Sequence, residues 1–339
     1  MNKLNSYTRI DIMDYLRGFA LLGILIVNSY QMLGYFSDSE LHGALYSIFN
    51  RKFYPILFFL FGSGCYLFMN QSKQKVNNRY PLFLRRIFFL FVLGLIHTFY
   101  APPGIQDVLM VYAVLGLLIV IFFKRNKWTN LIVTVTLMAL SIVTALCQPY
   151  YGEFIVWLYT LSYISQWFAL VMLGYTMGQF KFFENVYGKL KYISIFLIAN
   201  ICTYVSLFYA RKLIEIPNVG AEILESYTVA SIIASSLLII LQWDKVKMIL
   251  TPLKFYGQMS LTNYLAQSAL LIVFSIIIGF TPINSLIVCF IIHAILITFS
   301  IVWLKCFKMG PVEWLLRYFT YWSKIPNRKR SVRNNLESV

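Results

Sequence analysis

The stretch GLIHTFYAPPGIQDVLMVYA, residues 94–113, sets a histidine, His97, and an aspartate, Asp107, on either side of a Pro-Pro-Gly turn. Apolar sequence runs away from the turn in both directions, RRIFFLFVLGLI before it and VLMVYAVLGLLIVIFF after it. Each flank suits one helix, and proline and glycine punctuate the join between them. Composition decides where such a hairpin sits. Hydrophobic residues make up 59% of the 339-residue chain and charged ones 12%, about half the charged fraction of a soluble protein. A bilayer core takes about 20 apolar helical residues to cross, and runs near that length recur along the whole sequence with no soluble-sized gap.

Ten such spans are expected, near 16–35, 48–69, 82–100, 106–123, 129–147, 155–178, 192–210, 226–243, 259–279 and 284–304. The fold class is therefore all-α, a polytopic integral membrane protein. The net charge of +16 would suggest nucleic acid in a soluble chain. Threading the spans with the N-terminus in the cytoplasm instead places all but four of the 29 Lys and Arg residues on the cytoplasmic side, the four being Arg51, Lys52, Arg211 and Lys212. This is a positive-inside distribution. It predicts both termini in the cytoplasm and removes the reason to invoke nucleic acid. No small-residue cleavage site follows the first span, so it reads as a retained helix.

The organisation to expect is a ten-helix transmembrane domain over 1–310, an interfacial amphipathic helix over 311–323 and a basic, disordered cytoplasmic tail over 324–339. The interfacial piece opens with Pro311, a first-position residue, pairs Glu313 with Arg317 at i,i+4 and puts Trp314, Tyr318, Tyr321 and Trp322 on roughly one face. Its expected role is anchoring. Gly62 and Gly64 in FGSG, and Gly174 and Gly178 at GxxxG spacing, read as close helix contacts. The five cysteines lie in or beside different spans without CxxC spacing and read as core residues, with neither a disulfide nor a metal framework.

Ionisable groups inside a membrane are costly and are functional candidates by default. Asp14 and Arg17 open the first span, as a helix-end ion pair or as an arginine that holds a phosphate-bearing donor. Asn28 lies later in that span, and His42 in the first outer loop. Arg86 precedes His97 by eleven residues, which sets His97 about 16 Å deeper, past the midplane. A carboxylate on one ring nitrogen would fix its tautomer and raise the basicity of the other. His97 with Asp107 is thus either a general base facing an outer cavity or a structural pair closing the hairpin. Gln258, Asn263 and Gln267 in the ninth span either line a cavity or bond across helices.

Six pieces in order, DYLRGFALLGILIVN (14–28), FFLFGSG (58–64), RRIFFLFVLGLIH (85–97), QDVLMVYAVLG (106–116), FYGQMSLTNYLAQS (255–268) and GPVEWLLRYFTYW (310–322), resemble the YeiB, or DUF418, family of bacterial multispanning membrane proteins, often labelled transporters. Gln106 departs from the glycine expected before the aspartate. The first helix is also similar to that of membrane acyltransferases. In the O-acyltransferase branch an arginine matching Arg17 is followed by a histidine where this chain has Asn28. In the heparan-glucosaminide N-acetyltransferases an asparagine stands at that place and the functional histidine lies in the next outer loop, where this chain has His42.

The resemblance implies transfer of an acyl group from cytosolic acyl-CoA to a hydroxyl or amine at the opposite face, on an envelope glycan, a lipid or a small molecule. Arg17, Arg85 and Arg86 would hold the donor, His97 with Asp107, or else His42, would be the base, and Asn28 would contact the acyl carbonyl. The alternatives are a secondary transporter using His97 and Asp107 as a coupling or substrate site, and a non-catalytic lipid-binding protein. Expected partners are membrane lipids, anionic headgroups at the basic loops and at Arg328, Lys329 and Arg330, and a second copy of the chain. No metal is expected.

Overall fold

The computed structural model describes residues 11–36, 49–72, 79–101, 105, 107–147, 155–213, 218–278, 281–323 and 326–329. These form twelve α-helices and no strand: α1 (Asp11–Phe36), α2 (Tyr54–Ser72), α3 (Tyr80–Tyr100), α4 (Val108–Ile119), α5 (Lys127–Cys147), α6 (Ile155–Gln179), α7 (Leu190–Leu213), α8 (Asn218–Ile240), α9 (Asp244–Gln258), α10 (Ser260–Ile278), α11 (Pro282–Cys306) and α12 (Pro311–Tyr321). Each of the ten expected spans falls on a helix. Eight are long and apolar enough to cross a membrane, and the other two, Tyr54–Asn70 and Val108–Phe122, are shorter apolar helices.

Side chains sort the helices by depth in the bundle. In α1 72% of the most apolar window is buried, with Leu16, Leu21, Ile24 and Leu25 almost wholly so, whereas the window in α7 is 6% buried. Accordingly α1 packs on α2, α9, α10 and α11, while α7 is joined to the bundle chiefly through α8. One close crossing is α2 on α6. A Cβ at Gly174 would overlap the Phe59 carbonyl, one at Gly62 would overlap the Val171 carbonyl, and the Ser63 hydroxyl donates to the Gly174 carbonyl at 3.1 Å. Small residues thus bring the two backbones together as the spacing predicts. Of the cysteines, Cys65 and Cys289 are buried and all five are free thiols, but Cys202 and Cys306 face outward.

Residues 244–258, read from sequence as a connection, form the amphipathic helix α9 laid along α1. The Tyr15 hydroxyl donates to the Lys247 carbonyl at 3.1 Å and Lys254 pairs with Asp11 at 2.6 Å. Its last turn points into the bundle, with Tyr256 and Gly257 buried. Helix α12 lies beside α3, with Phe319 against Phe88 and Phe89. The Glu313 carboxylate reaches the exposed amides that begin α10, accepting from Leu261 N at 2.7 Å, Thr262 N at 3.2 Å and the Thr262 hydroxyl at 2.6 Å. An anion at a helix N-terminus satisfies both the orphan donors and the dipole there. Residues 326–329 fold back on the end of α11, where Lys308 N donates to the Asn327 carbonyl at 2.8 Å and Lys329 N to the Cys306 carbonyl at 2.9 Å.

The bundle has two chemically distinct ends. Arg17, Arg79, Arg85, Arg86, Arg125 and Lys127 gather at one, called here the basic end. At the other, the far end, Arg51 and Lys52 meet Glu222 and Glu225.

Replacing Gly174 with Leu should cost about 1–3 kcal/mol through forced separation of α2 from α6, read as a lower melting temperature in detergent. Burial raises the Glu313 carboxyl above its ordinary value of 4.5, against the hydrogen bonds from Thr262 and Leu261. A folded-state value above the unfolded one gives a contribution that is complete below the unfolded value and is lost as pH rises through the folded one. The melting temperature of the wild type relative to Glu313→Gln should therefore rise as pH falls from neutral toward 4.5.

Candidate functional site

His97 is wholly buried in the last turns of α3. Its Nδ1 stands 2.8 Å from Asp107 Oδ1, out of line with a straight ring N–H bond, and its Nε2 is 2.8 Å from the Ser268 hydroxyl on α10. A carboxylate only accepts, so the tautomer with its proton on Nδ1 turns that proton toward Asp107 and leaves Nε2 to accept from Ser268. Tyr100 meets the ring edge-on at 5.2 Å and Tyr264 lies at 5.0 Å.

Asp107 is also the N-cap of α4, its Oδ2 accepting from Met110 N at 2.7 Å. Asp side chains favour this position. The aspartate can lie against α3 because residue 94 is glycine: a Cβ there would sit 2.7 Å from Asp107 Oδ2 and 2.8 Å from Met110 N. Tyr264 completes the cluster, with its hydroxyl accepting from Val108 N at 3.2 Å.

Asp107, and not His97, opens into a pocket at the far end. The pocket is small, about 40 Å³, and partly open to the surroundings, and is lined by Gln31, Arg51, Tyr54, Gln166, Trp167 and Ser226 among others. Gln31 Oε1 and Gln166 Nε2 have no hydrogen-bond partner among the described residues. Asn28 lies one side chain behind, its Oδ1 accepting from the Tyr54 hydroxyl at 3.1 Å and its Nδ2 without a partner among those residues.

At the basic end Arg17 Nη1 donates to the buried Asp14 at 3.1 Å, and its Nη2 lies 3.8 Å from where a Cβ of Gly64 would be. Arg86 is within electrostatic reach of Arg17 and Arg317. It crosses the Phe68 ring at 5.6 Å, while Arg85 lies 4.3 Å over Trp322. Between the ends, Tyr112 is within electrostatic reach of Arg17 and Tyr54, and Tyr264 of Asp107, Tyr54 and Tyr112. His42 and Gln106 lie outside the described residues.

The amides expected either to line a cavity or to bond across helices do the latter. Asn263 Nδ2 donates to the Tyr256 carbonyl and to Ser300, both at 2.9 Å, and Gln267 Nε2 donates to the Leu21 carbonyl at 3.1 Å and to the Tyr256 hydroxyl. Neither they nor Gln258 line the pocket. The sequence reading passes over His293, whose Nε2 donates to the Leu22 carbonyl at 3.2 Å and whose Nδ1 faces the Tyr256 hydroxyl at 3.4 Å. It also passes over Gln166 and Ser268. A histidine inside FIIHAILI meets the same criterion that singles out His97. Among the described residues no cluster of His, Cys, Asp and Glu could hold a metal.

A bundle with eight helices long and apolar enough to cross a membrane defines the class, a multi-pass membrane protein, and inside it a buried histidine–aspartate pair lies beside a polar pocket. Residues 9–206 match the family profile described as heparan-alpha-glucosaminide N-acetyltransferase, catalytic, and residues 191–323 match DUF418, described as a protein of unknown function. An uncharacterized 39.9 kDa protein in the amylase 3' region of Bacillus acidopullulyticus is 33% identical, over 94% of this chain and 95% of that protein. The uncharacterized protein YxaH of Bacillus subtilis (strain 168) is 28% identical, over 95% of this chain and 97% of its own length. The chain belongs to the YeiB, or DUF418, family, and its first seven helices match an acetyltransferase catalytic profile.

Asp107→Ala should lose both the α4 cap and the histidine's partner and destabilise the bundle by about 1–3 kcal/mol. Asp107→Asn keeps an acceptor for Met110 N and should cost less, by about 1 kcal/mol, in thermal unfolding of the detergent-solubilised proteins.

Proposed function

We propose that the chain is a membrane acyltransferase that takes an acyl group, acetyl in the simplest case, from cytosolic acyl-CoA and delivers it to a hydroxyl or amine in the far-end pocket. In this reading it resides in a bacterial plasma membrane with both termini in the cytoplasm, and the acceptor is an envelope glycan, lipid or small molecule. The observation that carries the reading is Asp107, backed by His97 at 2.8 Å and facing the pocket, within the segment that matches the catalytic profile.

The donor's phosphates bind at the basic end, where Arg17 presents a guanidinium beside Gly64 and Arg86 adds charge. Arg85, stacked on Trp322, is a rim contact. The thioester extends along the interior toward Asn28, about 16 Å from Arg17 along α1. There Asn28 Nδ2 donates to the acyl oxygen as negative charge develops on it. The acceptor gives its proton to the Asp107–His97 pair and its lone pair attacks the thioester carbonyl. The carbon–sulfur bond breaks, CoA leaves as the thiolate, and that thiolate takes up a proton to become the thiol. Asp107 takes the proton, His97 acts through it as a positioning residue, and Ser268 fixes the ring.

Calorimetric titration of the detergent-purified protein with acetyl-CoA tests the donor half. Specific binding is expected for wild type and should weaken at least about tenfold in Arg17→Ala, the scale of a lost hydrogen bond to a charged group. Folded wild type that does not bind acetyl-CoA would remove the acyltransferase reading and favour a transporter.

A further inference from the structure

The far-end pocket has a polar asymmetry that the reaction alone does not require. Asp107, at the cap of α4, and Arg51, in the turn before α2, both line it, as does Gln166 of α6, whose Nε2 has no partner among the described residues. Arg51 has φ of 60°, a left-handed conformation that costs a side-chain-bearing residue and persists only where the surroundings impose it. The imposing contact is the buried Ser226, whose hydroxyl donates to the Arg51 carbonyl at 2.8 Å. The guanidinium is held flat, its carbon 3.7 Å above the centre of the Tyr163 ring, and Nη2 donates to the Tyr159 hydroxyl at 3.3 Å.

The acids nearby do not saturate it. Glu225 serves two cations, Arg211 at 2.5 Å and Lys52 at 4.0 Å, and Glu222 stays 4.0 Å from Arg51 Nε, beyond hydrogen-bond distance. A guanidinium carries five N–H donors, and among the described residues Arg51 uses one. The pocket therefore offers spare donors at Arg51 and Gln166, and acceptors at Asp107 and Gln31 Oε1.

We propose that this pocket binds a hydroxyl-bearing organic anion, its carboxylate or phosphate on Arg51 and Gln166 and its hydroxyl on Asp107. An anionic group is excluded from the Asp107 wall by like charge and drawn to the Arg51 wall, which orients the ligand so that a hydroxyl meets the carboxylate. The proposal deepens the acyl-transfer reading by naming the acceptor's chemical class and rests on that reading for the hydroxyl's fate. The binding itself does not depend on it. Arg51 is a specificity residue here: the strained turn and the ring beneath it fix its charge before ligand arrives.

The test is titration of the purified full chain in detergent with glycerol 3-phosphate, glycerate and glycerol, followed by thermal unfolding and tryptophan fluorescence. At least one of the two anions should bind and glycerol should not, with the stronger anion identifying phosphate or carboxylate as the recognised group. Arg51→Gly, which suits the left-handed backbone, should weaken the anion at least about tenfold, while Arg17→Ala should leave it unchanged. If Arg51→Gly lacks a cooperative melt, Gln166→Leu takes its place with the same expected direction. Equal binding of glycerol and the anions, anion binding unaffected by loss of Arg51 or Gln166, or binding abolished by Arg17→Ala would each overturn the proposal. A chain that binds the anion through Arg51 yet never binds acetyl-CoA would keep this site and discard acyl transfer.

Discussion

An ionisable pair held inside an apolar bundle is the constraint around which the rest of this structure is arranged. Burial of a charge or a polar group without partners costs several kcal/mol, so His97 and Asp107 are tolerable only while each is satisfied. Four elements supply the satisfaction. Helix α3 contributes Gly94, whose missing side chain admits the carboxylate. Helix α4 contributes its own first-turn amide, from Met110. Helix α10 contributes Ser268 and Tyr264. The pocket gives the remaining face of Asp107 a polar outlook. Moving any one of these elements would leave a buried polar group unpaired, so the pair both depends on the packing and enforces it.

The same economy recurs along α10. Its N-terminus is closed by Glu313 from the interfacial helix, its middle is tied to α1 and α9 through Gln267 and Tyr256, and the adjacent Ser268 holds His97. One helix thereby links the basic end to the far-end pocket. Helix α1 does the corresponding work on the other side, from the Asp14–Arg17 pair to Asn28.

The ten spans were legible because lipid-facing and core-facing residues are both apolar, so hydropathy alone marks them. Helix α9 was not. Its lysines and Asp244 break the apolar run, and its amphipathic period reads as a charged connection until Tyr15 and Asp11 of α1 are seen to meet it. The His97–Asp107 contact was legible from the hairpin, but not which of the two faces the pocket, because that depends on α6 and α8, distant in sequence, supplying Gln166, Trp167 and Ser226. Asn263 and Gln267 stood open between cavity and cross-helix bonding, and only the position of Leu21, Tyr256 and Ser300 decides it. Glu313 illustrates the same limit: its i,i+4 spacing to Arg317 is a local feature and gives no sign that the carboxylate lies on the amides of a helix some fifty residues earlier.

In acyl transfer as proposed here, the acyl group enters beside Arg17 and leaves beside Asp107, on opposite sides of one membrane. The direct measurement uses inverted membrane vesicles containing the protein, supplied outside with acetyl-CoA labelled in its acetyl group. The account predicts labelled acetyl product on the enclosed face for wild type and its absence for Asp107→Asn and Arg17→Ala at equal protein level. Label that never passes to the enclosed face, or that passes equally well in Asp107→Asn, would contradict it.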